Sequence, residues 1–215
     1  MSIVFVAGIA MPVEGYHHLW ESIGADEAID MYHGRHPRSP EEFADYIRSA
    51  TGKSDVVVGH SLGAFIALAV YGHAKKAIML DPPMTKGIST ALRIIPAVPG
   101  WSIYSIRKIG IERHARVASS YMKNLLLHAP KYISWVPWMR KMTIRAIGAD
   151  IPTVSSVNDD FGGWFWKTDA GKSMRNAKIF NYQNHASLVV DYLPDGSPGD
   201  EIREAVRAIR NFIRH

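Results

Sequence analysis

The chain has 215 residues, with 25 Lys and Arg against 20 Asp and Glu and a 47% hydrophobic content, a balance that suits one globular domain with a sizeable core. It contains no cysteine, which excludes a disulfide framework and a thiolate metal site. The formal charge of +5 is unevenly spread, since the stretch 84–149 holds eleven basic residues and a single acid, Glu112.

Ile3-Val4-Phe5-Val6-Ala7 is a continuous apolar run of the kind that forms a central parallel strand covered on both faces. It is too short to span a membrane and has no basic residues ahead of it, so it reads as a first strand ending at Gly8 and not as a signal peptide. No other stretch approaches a membrane span, and the cytoplasm is the expected location. Residues 16–23 are expected to form a helix and 28–32 a short second strand. In Ser39-Pro40-Glu41-Glu42, Ser39 suits an N-cap, Pro40 the first helical position and Glu42 a capping box. The helix that follows presents Phe43, Tyr46 and Ile47 on one face and ends at Gly52.

The stretch from Asp55 to Gly63 then joins a β-branched run to Gly-His-Ser-Leu-Gly, with an apolar helical segment, 64–71, directly after it. Such a turn strains its central residue, and only small neighbours such as Gly59 and Gly63 let the flanking backbones pass. Ser61 is thereby raised above the end of the sheet. The Leu62 N–H points into the same space from a helix N-terminus, where partial positive charge favours an anion. Residues 77–81 form another buried strand, closed by Pro82-Pro83. Strands alternating with helices in this way imply right-handed crossovers and a parallel sheet. The alternation breaks over 84–149, which is rich in Met, Trp and Ile and expected to be helical between Pro96, Pro99, Pro130 and Pro137. Strands resume at 152–157 and 177–182, and a final helix from about residue 200 carries Ile202, Val206, Ile209, Phe212 and Ile213 on one face.

Taken together, the elbow at Ser61 and the order of elements around it resemble the α/β-hydrolase superfamily over essentially the whole chain. The resemblance implies an α/β fold with a mostly parallel six-stranded sheet, helices on both faces and no trace of the family's two leading strands. The core would comprise 1–83 and 150–215, with 84–149 inserted as a helical cap. A serine hydroxyl is a poor nucleophile at neutral pH, so the chemistry needs a histidine to take its proton and a carboxylate to orient that histidine. By resemblance the base is His185, in the loop between the last strand and the last helix. The acid should follow the strand at 152–157, where Asp159 and Asp160 are adjacent. Asn158 stands where relatives usually have glycine, so two registers are open: Asp160 is the preferred acid and Asp159 the alternative. Asp81 is an outside candidate at a position that a minority of the family uses. The oxyanion donors would be the N–H groups of Leu62 and of Ile9, with Ala10 as a variant for the latter. The family's usual His-Gly pair is Ala7-Gly8 here. His17 and His18 either face the site or lie in solvent.

The function implied is a serine hydrolase acting on an ester or related acyl bond of a small, largely hydrophobic substrate through an acyl-enzyme. Thioester, lactone and carbon–carbon bond hydrolysis and perhydrolysis share the same machinery. His60, Trp101, Tyr104, Trp135 and Trp138 are expected to line the substrate pocket. No metal or organic cofactor is called for. The basic, aromatic stretch 84–149 suits contact with anionic lipid head groups at a membrane surface. It carries no nucleic-acid motif, and no nucleic-acid partner is expected. A reading from another class keeps the fold as a non-catalytic ligand-binding or membrane-peripheral protein, against which the intact Ser61, downstream acid and His185 weigh.

Overall fold

A computed structural model describes residues 1–9, 11–31, 37–53, 55–86, 103–108 and 110–215, apart from the side chains of 113, 116, 117, 120–122, 125, 126 and 129. Successive side chains of a strand face opposite sides of its sheet, and the apolar runs of this chain use both sides. Val4, Val6, Val57 and Met79 join one core cluster, while Phe5, Val56, Val58, Ile78 and Leu80 join the other.

The strands are β1 (Ile3–Val6), β2 (Glu27–Ile29), β3 (Val56–His60), β4 (Lys76–Leu80), β5 (Thr153–Ser156) and β6 (Ala177–Phe180). They form one six-stranded sheet in the order β2-β1-β3-β4-β5-β6, with every neighbouring pair parallel. The helices are α1 (His17–Ser22), preceded by a 3-10 turn at Val13–Tyr16, α2 (Pro40–Ala50), α3 (Leu62–Val70), α4 (Ile111–Ser134) and α5 (Val136–Ala149). Beyond them come three four-residue helices, α6 (Gly163–Trp166), α7 (Asp169–Lys172) and α8 (Ser187–Val190), and then α9 (Arg203–Arg214). A further helical segment covers 103–108. Among the described residues no helix is long and apolar enough to cross a membrane.

The start of α2 follows its sequence signals. The Glu42 N–H donates to Ser39 Oγ at 3.2 Å, and Pro40 occupies the first turn. Its buried face is Phe43, Ala44 and Ile47, whereas Tyr46, expected on that face, is 41% exposed. α2, α3 and α5 cover one side of the sheet; α1, α8 and α9 supply Leu19, Leu188, Val206 and Ile209 to the other.

The stretch 84–149 divides differently from its expected role as a single insertion. Val136, Met139, Met142 and Ala146 of α5 belong to the same apolar layer as Phe65 of α3 and Val57 of β3. A parallel connection from β4 to β5 needs a covering crossover helix, and α5 supplies it. Outside that layer the described parts are 103–108 and α4. The helices α6 and α7 were not legible beforehand; Phe165 and Trp166 of α6 fill the layer beside α5.

The topology also fixes where a site can form. From β1 the chain passes to β2 on one side and then returns to β3 on the other, so the connections diverge above the C-terminal ends of β1 and β3. A parallel sheet leaves a crevice at such a switch point. Gly8 and Ser61 stand at its two rims.

Candidate active site

Ser61 sits between β3 and α3 with φ 56° and ψ −123°, a conformation that a residue with a side chain rarely adopts. The surroundings hold it there: the Ser61 N–H donates to the Leu80 carbonyl at 2.9 Å and the Ala64 N–H to the Ser61 carbonyl at 3.0 Å. A Cβ on Gly59 would collide with the Gly63 carbonyl, and one on Gly63 with the Val6 carbonyl. These two contacts are why the turn reads Gly-x-Ser-x-Gly. The loop leaving β1 passes equally close, since a Cβ on Gly8 would lie 2.6 Å from Tyr16 Oη and 2.9 Å from Ser61 Cβ. Among the described residues, neither the Ile9 nor the Leu62 N–H donates to a protein acceptor.

His185 lies in the turn before α8, where the Ala186 N–H donates to Asn184 Oδ1 and the Asn184 N–H to Ser187 Oγ. Its Nδ1 is 3.1 Å from Asp159 Oδ2. The carboxylate beside His185 is therefore Asp159 and not the preferred Asp160. The reason lies in the end of β5. The Asp159 N–H closes a turn onto the Ser156 carbonyl at 3.3 Å, which directs residue 159 inward directly after Asn158, with no spacer. Asp159 Oδ1 then accepts from the N–H groups of Phe161, at 2.7 Å, and Gly162, at 3.2 Å. Burial alone would push the His185 imidazole down, but the adjacent Asp159 carboxylate, with Asp81 and Asp160 beyond it, raises it above the ordinary histidine value. A donor Nδ1–H to Asp159 leaves the Nε2 lone pair facing elsewhere. No hydrogen bond joins Ser61 Oγ to His185 among the described residues; the two are linked through His60, whose ring centroid is 4.8 Å from that of His185. Catalytic hydrogen bonds are often long in the absence of substrate.

Asp81, the outside candidate for the acid, serves a different partner. It is fully buried with φ 42°, and its Oδ1 accepts from Tyr182 Oη at 2.6 Å, Ser155 Oγ at 2.9 Å and the Ser156 N–H at 3.3 Å. Its Oδ2 faces His60 Nε2 at 3.7 Å, and neither of those atoms has a hydrogen-bond partner. Burial, reinforced by the charge of Asp159, drives the Asp81 carboxyl well above the usual range. Burial likewise holds the His60 imidazole well below its ordinary value, with His185 adding to the effect. His60 is thus an interior residue, 2% exposed, and not part of a pocket wall. On its other side, Nδ1 is 3.0 Å from Tyr16 Oη, which accepts from the Gly8 N–H at 3.1 Å. Tyr16, Ser155 and Tyr182 carry no motif that would have marked them in the sequence. One donor atom from each of His60, Asp81 and His185 lies within 4.8 Å of the others, the kind of grouping that also suits a metal ion; His17, His18 and Glu21 form a second such group at the surface.

The remaining residues expected around a substrate are not brought together. Trp101 lies outside the described residues. Tyr104 is buried on the α9 side of the sheet, where its Oη donates to Glu201 at 3.1 Å. Trp135 and Trp138 are on the opposite side, the latter edge-on to Phe65 at 6.3 Å. Together with Arg38, Pro40 and Lys141 these two tryptophans line an open groove of about 420 Å³.

No curated protein sequence matches the chain at a significant level. Solved structures do: a lipase-esterase related protein from Clostridium acetobutylicum has a TM-score of 0.58 at 16% identity, covering 99% of this chain and 94% of that one. A thioesterase domain from the curacin biosynthetic pathway has a TM-score of 0.56 at 12% identity, with 99% and 90% covered. A monoacylglycerol lipase from Paleococcus ferrophilus has a TM-score of 0.52 at 14% identity, with 98% and 93% covered. At these identities the likeness is one of fold. The sequence itself matches the alpha/beta hydrolase family over residues 3–207, and with the parallel sheet, the elbow at Ser61 and His185 at its expected sheet end, the chain belongs to the alpha/beta hydrolase family.

Proposed function

We propose that this protein is a serine hydrolase that cleaves an ester or related acyl bond of a small, largely hydrophobic substrate through an acyl-enzyme. The observation that carries the reading is the pairing of His185 Nδ1 with Asp159 Oδ2 at 3.1 Å, with the His185 ring 4.8 Å from that of His60, the residue before the strained Ser61.

In this reading Ser61 Oγ attacks the carbonyl carbon while His185 Nε2 takes its proton. Asp159 keeps the imidazole in the Nδ1–H tautomer and stabilises the imidazolium that forms. The negative charge on the carbonyl oxygen is met by the Ile9 and Leu62 N–H groups. His185 then passes the proton to the leaving group, and water, activated by the same imidazole, releases the acid and restores Ser61. The esterase, thioesterase and lipase names of the structural neighbours agree with acyl transfer and leave the choice among acyl bonds to experiment. The basic stretch 84–149 is assigned to the negative head groups of a lipid surface.

Intact-mass measurement after exposure to a fluorophosphonate tests the reading. Wild-type protein should gain one adduct and Ser61→Ala none. An unmodified wild type, beside a known serine hydrolase that labels in the same tube, would sink it. Nitrophenyl esters of increasing chain length then report the acyl group preferred. Binding to anionic vesicles that is stronger than to neutral ones and lost at high salt would support the lipid contact, and equal weak binding would remove it.

A further inference from the structure

We propose that Tyr16 and His60 are positioning residues that fasten the loop carrying the Ile9 N–H to the turn carrying Ser61. The inference rests on the serine hydrolase reading and on the assignment of Ile9 as an oxyanion donor.

The last sheet hydrogen bond of the β1 strand is the one from the Ala7 N–H to the Ile29 carbonyl at 2.9 Å. Beyond it, the backbone is held by a side chain: the Gly8 N–H donates to Tyr16 Oη at 3.1 Å, one residue before Ile9. Tyr16 is itself fixed, being 2% exposed with its ring 5.2 Å from Phe5 and 5.3 Å from His60. A phenol oxygen accepts from one group and donates its own hydrogen to another. Tyr16 therefore suits a bridge in which it accepts from Gly8 and donates to His60 Nδ1 at 3.0 Å. His60 immediately precedes Ser61, so the bridge spans the two rims of the crevice.

The far side of His60 supports the same orientation. A ring that accepts at Nδ1 carries its proton on Nε2; that atom faces Asp81 Oδ2 at 3.7 Å, beyond hydrogen-bond length, and the His185 backbone carbonyl acts on the same ring as an acceptor. Burying two such polar groups costs stability, and an apolar pair of similar volume would spare that cost. What the polar pair supplies is a defined ring orientation and tautomer in the residue next to the nucleophile. Asp81 Oδ1 in turn holds the Ser156 N–H at 3.3 Å, and Ser156 begins the turn that delivers Asp159. One connected set of hydrogen bonds and close polar contacts thus runs from the donor loop through the elbow to the acid loop. Oxyanion donors act only when held within a fraction of an ångström of the position where charge develops.

Tyr16→Phe removes a single oxygen and keeps the buried ring. With a nitrophenyl ester, kcat should fall about ten- to a hundred-fold while KM changes less than about two-fold. Affinity for a trifluoromethyl ketone, which forms a tetrahedral oxyanion on Ser61, should fall by the same factor as kcat. A purely structural role would lower the melting temperature without splitting kcat from KM. At His60, Asn places an amide near the Nδ1 position and Gln places one near Nε2, so His60→Asn should retain more kcat than His60→Gln. A Tyr16→Phe protein with wild-type kcat, or with its loss confined to KM, overturns the proposal, as does His60→Gln outperforming His60→Asn. Those outcomes leave fluorophosphonate labelling of the wild type intact; a wild type that does not label overturns both this proposal and the hydrolase reading.

Discussion

His185 Nδ1 and Asp159 Oδ2 stand 3.1 Å apart, whereas Asp160, one residue further on, acts on the same ring through its charge. The two carboxylates are thereby separable by mutation. Asp159→Asn keeps the shape but offers the ring an amide, so the imidazole loses its preferred tautomer and its counter-charge. A loss of about a thousand-fold or more in kcat is expected for Asp159→Asn. For Asp160→Asn the loss should stay within about three-fold, because of the carboxylates that act on the ring Asp160 contributes least and makes no hydrogen bond to it. Nitrophenyl ester hydrolysis by the two purified variants measures both, and equal losses would show that the pairing is not the functional one.

The same pairing sets a pH dependence. In the proposed mechanism His185 accepts the Ser61 proton only when its Nε2 is unprotonated, so activity should be lost as pH falls through the imidazole pKa. Burial pulls that pKa down, but Asp159, followed by Asp81 and Asp160, pushes it above the ordinary 6.5, while His60 beside it stays neutral. The acid limb of kcat/KM should therefore lie above pH 6.5 in the wild type. With the Asp159 charge removed, burial dominates and the limb of the residual activity in Asp159→Asn should move downward. A wild-type limb at or below the ordinary value would contradict this balance of charges.

That Asp159, and not the expected Asp160, stands beside His185 follows from what sequence patterns leave open. The apolar runs at β1, β3 and β4 and the capped start of α2 report burial and local hydrogen bonding, and those elements appear where the pattern places them. Ser61 and His185 were marked by their positions at strand ends. The choice between Asp159 and Asp160 depends on a single turn at the end of β5, and a one-residue change of register there exchanges inside for outside. α5 falls within the expected insertion because the strand–helix alternation breaks over 84–149, yet its Met139, Met142 and Ala146 join the same apolar layer as β3. The Tyr16–His60–Asp81 set had no local signature at all, because its members meet only through long-range packing.

Two glycines test how tightly the elbow is built. A Cβ at Gly63 would meet the Val6 carbonyl, a backbone atom of β1, which is paired on both sides and cannot be displaced cheaply. Gly63→Ala should cost about 3 kcal/mol or more of unfolding free energy. Gly148, near the end of α5, has nothing within 4 Å of the corresponding position. Gly148→Ala should raise stability by about 0.5 kcal/mol, since alanine forfeits less backbone freedom in a helix. Urea midpoints of the two variants give the comparison, and similar midpoints would show that the close approach at Gly63 is not what defines the turn.

Ser61 itself holds a conformation that costs stability. At φ 56° and ψ −123° a side chain is strained, and such strain costs about 1–3 kcal/mol. Glycine adopts positive φ freely, at an entropic cost of about 0.5–1 kcal/mol relative to a residue with a side chain. Strain relief exceeds that cost, so Ser61→Gly should be more stable than the wild type by about 1 kcal/mol, or about 2–4 °C in melting temperature for a chain of this size. Ser61→Ala keeps the Cβ and hence the strain, and should melt close to the wild type. Neither variant should take a fluorophosphonate. The comparison isolates the backbone, because both substitutions remove the same hydroxyl. If Ser61→Ala and Ser61→Gly melt together, the turn stores no strain, and the positive φ of Ser61 reflects only the path of the chain between β3 and α3.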